Sequence, residues 1–355
     1  MKAMILAAGF GKRLRPLTDH VAKPTLPVVN IPLILYALNL LKSAGIREVI
    51  VNLHHAPETV KKILGRGRKW KMKIRYSYEK DILGTGGGLK NVESFFSEEE
   101  AFVLINGDII CDINLRDAIT FHQESDAAAT MVLREDKNAE QFGVIGIDSE
   151  QRIRRFTDLV KPDPKHGTLK KCMFTGIHIL SPIVFEYLPP TIEVCINQYA
   201  YPRMINNAET IFGFITNGYW SDLGTISSYW QTNSYLLANP QALNYFDHLG
   251  DYQFTPKREV DRVVRMGKNV HLASDAKIYD PVIIGDHCDI KKGSVIGPNV
   301  ILGNDCVIEK NNRIENSILW PNTKTNENEE ICKQIRGKKV KVELRANGKT
   351  AKLAS

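Results

Sequence analysis

Leu6-Ala7-Ala8-Gly9-Phe10-Gly11-Lys12-Arg13-Leu14-Arg15-Pro16-Leu17-Thr18, with Lys23-Pro24 soon after, is the stretch on which the reading of this chain turns. Lys2 to Ala7 read as a buried strand that runs into a glycine-bearing loop. Glycines let backbone N–H groups approach phosphate closely, and Arg13 and Lys23 supply two cations able to neutralise a triphosphate. Two commoner nucleotide motifs fail here. A dinucleotide fingerprint needs a third glycine where Leu14 sits, and a P-loop needs glycine at position 6 and Ser or Thr at 13, where Leu6 and Arg13 sit.

Outward from this loop, strand and helix alternate. Helix Leu33–Ala44 lies between Pro32 and Gly45, strand Glu48–Leu53 and helix Pro57–Leu64 follow, and strands are expected at Lys73–Tyr78 and Phe102–Ile105. Further strands are expected at Ala127–Leu133, Val144–Ile147, Cys172–Leu180 and Ile211–Ile215, with a closing helix at Ser227–Leu237. Such alternation implies an α/β domain with a mostly parallel sheet covered on both faces.

Beyond a polar segment the pattern changes. Leu272, Ile278, Ile284, Ile290, Ile296, Leu302, Ile308 and Ile314 recur every six residues, the signature of a hexapeptide parallel β-helix of two to three coils. Gly285, Gly297 and Gly303 are expected at its corners. Cys288 and Cys306, one coil apart, are expected to stack as core thiols, and all six cysteines read as small core residues in a reducing, cytoplasmic setting. The resulting boundaries are 1–238 for the α/β domain, 239–268 for a linker, 269–335 for the β-helix and 336–355 for a basic tail.

Charge limits the partners. Lysine and arginine total 47 against 40 acidic residues, a formal +7, but seven cations and one anion fall within residues 336–355, leaving +1 for the rest. A near-neutral body with a basic tail is not a nucleic-acid-binding design. No run reaches the ~20 apolar residues of a membrane span, so no membrane insertion is expected. A homo-oligomer is.

The opening loop, Lys23-Pro24, Leu83-Gly84-Thr85-Gly86-Gly87, Asn106-Gly107-Asp108, Phe142-Gly143-Val144, Thr175-Gly176 and Trp220-Ser221-Asp222-Leu223-Gly224-Thr225 occur in the order that resembles the sugar-1-phosphate nucleotidylyltransferases. The resemblance covers about residues 1–320. It implies a Rossmann-like mixed sheet of the nucleotide-diphospho-sugar transferase type, followed by a short left-handed parallel β-helix. It also implies that a nucleoside monophosphate passes from an NTP to a sugar 1-phosphate with release of pyrophosphate. By resemblance, Arg13 holds the leaving pyrophosphate and Lys23 the phosphates at the reacting centre. Asp108 and Asp222 hold Mg²⁺. Leu6, Ala8, Gly9, Gly11, Gly84 and Thr85 meet the nucleotide, Gly84 to Gly88 forming a flexible glycine run. Gly143, Thr175 and Glu193 lie near the sugar. The family's Glu-Lys-Pro is replaced by Phe156-Thr157-Asp158-Leu159-Val160-Lys161-Pro162, in which Lys161 takes the lysine's place after a two-residue shift.

Lys23-Pro24 and Asn106-Gly107-Asp108-Ile109-Ile110-Cys111-Asp112 resemble the mannose-1-phosphate guanylyltransferase branch, so GTP and mannose 1-phosphate or a related hexose or heptose phosphate are the expected substrates. Thr175-Gly176 leans toward uridylyltransferases acting on an N-acetylhexosamine or muramate 1-phosphate. The alternative of another class is a non-catalytic nucleotide-sugar-binding regulatory paralogue. It would not need Arg13, Lys23, Asp108 and Asp222 together.

Overall fold

A computed structural model describes residues 1–136, 143–157, 168–190, 192–248, 253–254, 264–344 and 350–352. The chain divides into two compact units. The first comprises Met1–Phe10, Val21–Thr25 and Leu33–Trp220; the second comprises Gly11–His20, Leu26–Pro32 and Ser221–Ser355. The opening loop is therefore shared between them.

Among the described residues, the first unit carries a nine-stranded mixed sheet. Seven strands run in the order Ile153–Phe156, Ile145–Ile147, Lys170–Leu180, Phe102–Asn106, Ala3–Leu6, Glu48–Leu53, Lys73–Tyr78. Ala129–Arg134 pairs with Lys170–Leu180 and carries Ile211–Ile215 on its far side. Phe102–Asn106, Ala3–Leu6, Glu48–Leu53 and Lys73–Tyr78 run parallel. The first three read as nearly unbroken apolar runs, because helices cover both faces of such a sheet, whereas Lys73–Tyr78 at the sheet edge is polar and mostly unburied. Met4, Val49, Val51, Phe102 and Leu104 are accordingly buried. The register sets Leu6 beside both Asn52 and Asn106, so the end of the first strand is flanked by a carboxamide on either side. Ligands of open α/β sheets gather at such an edge.

Punctuation places the helices where expected. Pro57 starts Pro57–Leu64 and Gly65, at φ 55°, ends it. The glycine run from Gly84 is a departure: it forms the helix Gly84–Lys90 rather than a flexible segment. Tertiary packing overrides glycine's poor helix propensity here. A Cβ on Gly87 would lie 2.3 Å from the Ile192 carbonyl oxygen, and one on Gly86 2.9 Å from Leu188.

The second unit contains the β-helix. Its three faces are built by parallel rungs, one face running through Val264–Met266, Val282–Ile284, Val300–Leu302, Ser317–Leu319 and Gln334–Gly337. Five rungs on one face enclose four turns, more than the two to three read from the hexad run. The later rungs escape a strict period of six because spacing drops from 18 to 17 residues, as in Ile314 beside Ile331. Ile284, Ile290, Ile296, Leu302, Ile308 and Ile314 are all fully buried in the core of the coil, each contributing about 1.5–3 kcal/mol of burial free energy.

The corners also differ from expectation. Left-handed backbone falls at His287, Gly293, Asn299, Asp305 and Asn311, one per hexapeptide, and Asn and Asp tolerate that region best after glycine. Of the three expected corner glycines only Gly297 has positive φ. Gly285 and Gly303 are required by close packing instead, since a Cβ would lie 2.5 and 2.4 Å from the next rung's backbone nitrogens.

Cys288 and Cys306 are buried free thiols donating to the carbonyls of Gly303 and Trp320, and the contact with the Cys288 thiol, with burial second, raises the Cys306 pKa. Cys111 and Cys172 are also core residues, whereas Cys195 is half-buried and Cys332 exposed. Residues Val340–Leu344, within the basic stretch, fold back antiparallel on the last rung, and Thr350–Lys352 pairs with them. No helix among the described residues is long and apolar enough to cross a membrane.

Candidate active site

In the first unit the site grows from the strand ends. Gly107 follows Phe102–Asn106 and donates its N–H to the Leu6 carbonyl at 2.8 Å; a Cβ there would lie 2.8 Å from the same oxygen. This close approach turns the chain so that Asp108 follows the strand end. Lys23 lies in a 3-10 turn whose Thr25 N–H and hydroxyl both bond the Ala22 carbonyl, while the Ala22 N–H is held by Thr59 Oγ1. Its side chain is buried, and its Nζ reaches Asp108 Oδ2 at 2.5 Å. Lys23 and Asp108 are thus brought together across 85 residues.

Two site residues went unnoticed in the sequence. Asn52 Oδ1 accepts the Ala7 N–H at 2.7 Å, and its Nδ2 donates to Glu79 Oε1 at 2.7 Å. The other Glu79 oxygen accepts the Leu83 N–H at 3.0 Å, and both side chains are buried. This pair ties the end of the signature strand to the glycine helix. The available signal was Asn52, a polar residue near the C-terminal end of the otherwise apolar parallel strand Glu48–Leu53; Glu79, after the polar edge strand Lys73–Tyr78, carried none. Leu6 is half-buried and Ala8 buried. Gly9 is exposed, with open space where a Cβ would be. Gly84, at φ 69°, backs onto the Val194 carbonyl. Thr85 Oγ1 accepts the Ile196 N–H at 2.9 Å, fastening the glycine helix to the segment that carries the exposed Glu193.

Thr175 and Gly176 sit where the pairing of Lys170–Leu180 with Ala129–Arg134 slips register. Such irregularities re-aim side chains near sites. Thr175 is buried, its hydroxyl donating to the Val132 carbonyl at 2.8 Å and its own carbonyl accepting from the Trp220 indole at 2.8 Å. Gly176, at φ 97°, lies against Asn106. Gly143, at φ 87°, lies against Thr157. Lys161 lies outside the described residues.

In the second unit Gly11 adopts left-handed backbone and leads into the turn Lys12–Leu14, with its carbonyl held by the Thr18 hydroxyl at 2.9 Å. Arg13 is exposed. Its guanidinium and the Asp222 carboxylate both approach Gly224: a Cβ there would lie 2.8 Å from Asp222 Oδ2 and 2.9 Å from an Arg13 nitrogen. Each unit therefore brings one cation and one aspartate together. Hard carboxylate oxygens are the donors Mg²⁺ takes, typically one or two alongside phosphate and water, so Asp108 in the first unit and Asp222 in the second are each a donor of the kind that ion takes. Among the described residues no group of three or more His, Cys, Asp or Glu side chains forms a metal cage.

A doubly covered sheet with a glycine loop, a buried lysine and separated aspartates is the architecture of nucleotide-transferring α/β enzymes. Residues 2–239 match the nucleotidyl transferase family and residues 278–350 the GMPPB C-terminal domain, so this chain belongs to the sugar-1-phosphate nucleotidylyltransferase family. It is 30% identical to a UTP–glucose-1-phosphate uridylyltransferase of Synechocystis, over 83% of this chain and 81% of that one. It is also 30% identical to a mannose-1-phosphate guanylyltransferase of Mycobacterium tuberculosis, over 63% of this chain and 61% of that one. A solved structure described as a glucose-1-phosphate thymidylyltransferase of Bacillus anthracis superposes with a TM-score of 0.57 at 26% identity, covering 66% of this chain and 94% of that one.

Proposed function

We propose that the chain transfers GMP from GTP to mannose 1-phosphate or a closely related hexose or heptose phosphate, releasing pyrophosphate. The observation that carries the reading is the buried Lys23 held on Asp108 at the open ends of the parallel strands. A sugar-phosphate oxygen forms the bond to the α-phosphorus, and the bond from that phosphorus to the bridging oxygen of pyrophosphate breaks. Both reactants are polyanions, so the barrier is alignment and charge repulsion. Lys23 neutralises the reacting phosphates, its ammonium kept in place by the turn around it. Arg13 takes charge that develops on the leaving pyrophosphate. Backbone of the Ala8–Gly11 loop and the glycine helix hold the nucleotide, with Gly143, Thr175, Glu193 and Lys161 toward the sugar. Mg²⁺ on Asp108 and Asp222 would add neutralising charge on the phosphates when bound.

The choice of GTP rests on the Lys23-Pro24 and Asn106 to Asp112 motifs and on the match to the GMPPB C-terminal domain. A uridylyltransferase is the second reading, favoured by the glucose-1-phosphate uridylyltransferase relative aligned over most of the chain. A matrix of five nucleoside triphosphates against mannose, glucose, N-acetylglucosamine and muramate-type 1-phosphates, read by pyrophosphate release, decides between them. Turnover highest with GTP and mannose 1-phosphate is expected. Preference for UTP selects the second reading, and no product in any well selects a regulatory nucleotide-sugar-binding protein.

A further inference from the structure

The segment after Lys23 makes a turn that its sequence does not favour. Pro27–Val28 and Ile31–Pro32 form a hairpin whose two central residues, Val29 at φ 47° and Asn30 at φ 66°, are both left-handed. A two-residue hairpin loop of this hand suits Asn and Gly, but a β-branched valine in it is strained. Such a conformation persists only where its surroundings over-determine it. Here they come from the same compact unit. The Val29 N–H donates to Asn233 Oδ1 at 2.8 Å, and Asn30 Nδ2 donates to the Leu302 carbonyl of a β-helix rung at 2.7 Å. The Trp320 indole, on the next coil, donates to Tyr229 Oη at 3.0 Å, and that hydroxyl donates to the Pro27 carbonyl at 2.5 Å. Tyr229 and Asn233 share the helix Ile226–Ala238, whose Thr232 hydroxyl bonds Ser221, the residue before Asp222.

We infer that the β-helix is a positioning scaffold for the phosphate-handling segments. Trp320, Tyr229 and the Asn30–Leu302 bond clamp the strained hairpin that follows Lys23, and the same helix steadies the strand that carries Asp222. Trp320 and Tyr229 are positioning residues. They act through the backbone of residues 26–32 and 221–222, not on substrate. The catalytic consequence rests on the nucleotidyl-transfer reading; the structural one does not.

The test compares Trp320→Phe, Tyr229→Phe and the double variant. Each deletes one link of a single relay. Turnover should fall by about three- to tenfold in each, with the double no worse than the poorer single, and the KM for sugar phosphate should hold. Amide hydrogen exchange of residues 26–32 should speed up by at least tenfold in all three, while that of the β-helix core around Ile290 and Ile308 is unchanged. Additive losses, or exchange that rises in the coils and not in residues 26–32, overturn the scaffold. If the wild-type protein turns over no substrate pair, the proposed function fails, and the exchange measurement still decides the scaffold.

Discussion

Lys23 shows how one side chain's fate depends on its partner. A buried ammonium is costly to desolvate unless an opposite charge and fixed geometry compensate, and Asp108 supplies both. Asp108→Asn removes the charge at little change in shape. Turnover should fall by two or more orders of magnitude with the far-ultraviolet dichroism intact; near-wild-type rates would remove Asp108 from the reaction. Gly224 offers a test from the other unit. Gly224→Ala drives a methyl group between the Asp222 carboxylate and the Arg13 guanidinium. We expect a tenfold or greater loss of kcat that Arg13→Ala does not deepen, measured as a double-mutant cycle.

Elements carry a different kind of constraint. Gly84 and Gly87 are needed in the glycine helix because the carbonyls of Val194 and Ile192 come too close for any side chain there. Gly87→Ala should destabilise the protein by about 1–3 kcal/mol in urea unfolding, the usual cost of overpacking. A second constraint is electrical. His178 is wholly buried beside the Tyr201 hydroxyl at 2.6 Å, and burial pushes its pKa down to about 3. In the unfolded chain a histidine titrates near 6.5, so between these values the unfolded state binds the extra proton. The stabilising contribution of the neutral ring is complete above about pH 6.5 and is lost as pH falls. Between pH 7 and pH 5, His178→Gln should therefore lose about 2 kcal/mol less stability than wild type. Equal losses would contradict a neutral buried ring. His122, buried against Thr130 and pushed down to about 4, works in the same direction.

At the scale of the molecule, the β-helix must end without leaving an open edge. Gln334–Gly337 would be such an edge, and Val340–Leu344 closes it by antiparallel pairing, burying Val342. Truncation after Gly337 uncovers a row of unpaired backbone groups. The shortened chain should self-associate in a concentration-dependent manner by light scattering. A monodisperse truncated species of the same subunit number as wild type would show that the closing strands are dispensable. Part of the basic stretch 336–355 is therefore built into the fold, since Lys341 and Glu343 lie on the closing strand opposite Arg336 and Gln334.

Much of this was legible in the chain by itself. Parallel strands covered on both faces are apolar, so Ala3–Leu6, Glu48–Leu53 and Phe102–Asn106, like the six-residue rhythm of the coil, follow from local hydrophobicity, whereas the short strands Ile109–Cys111 and Ile153–Phe156 were not legible there. The catalytic candidates follow from the resemblance of the motifs to those of the family. What only the tertiary structure decided involves partners distant in sequence. The Asn52–Glu79 link, the helicity of the glycine run, the 17-residue coils and the strained Val29 turn each depend on a carbonyl, a carboxamide or a missing Cβ contributed from elsewhere in the chain. Local sequence encodes which residues seek burial. Which backbone groups then lie within hydrogen-bonding reach is settled by the packed three-dimensional arrangement, because those distances exist only after the chain has closed on itself.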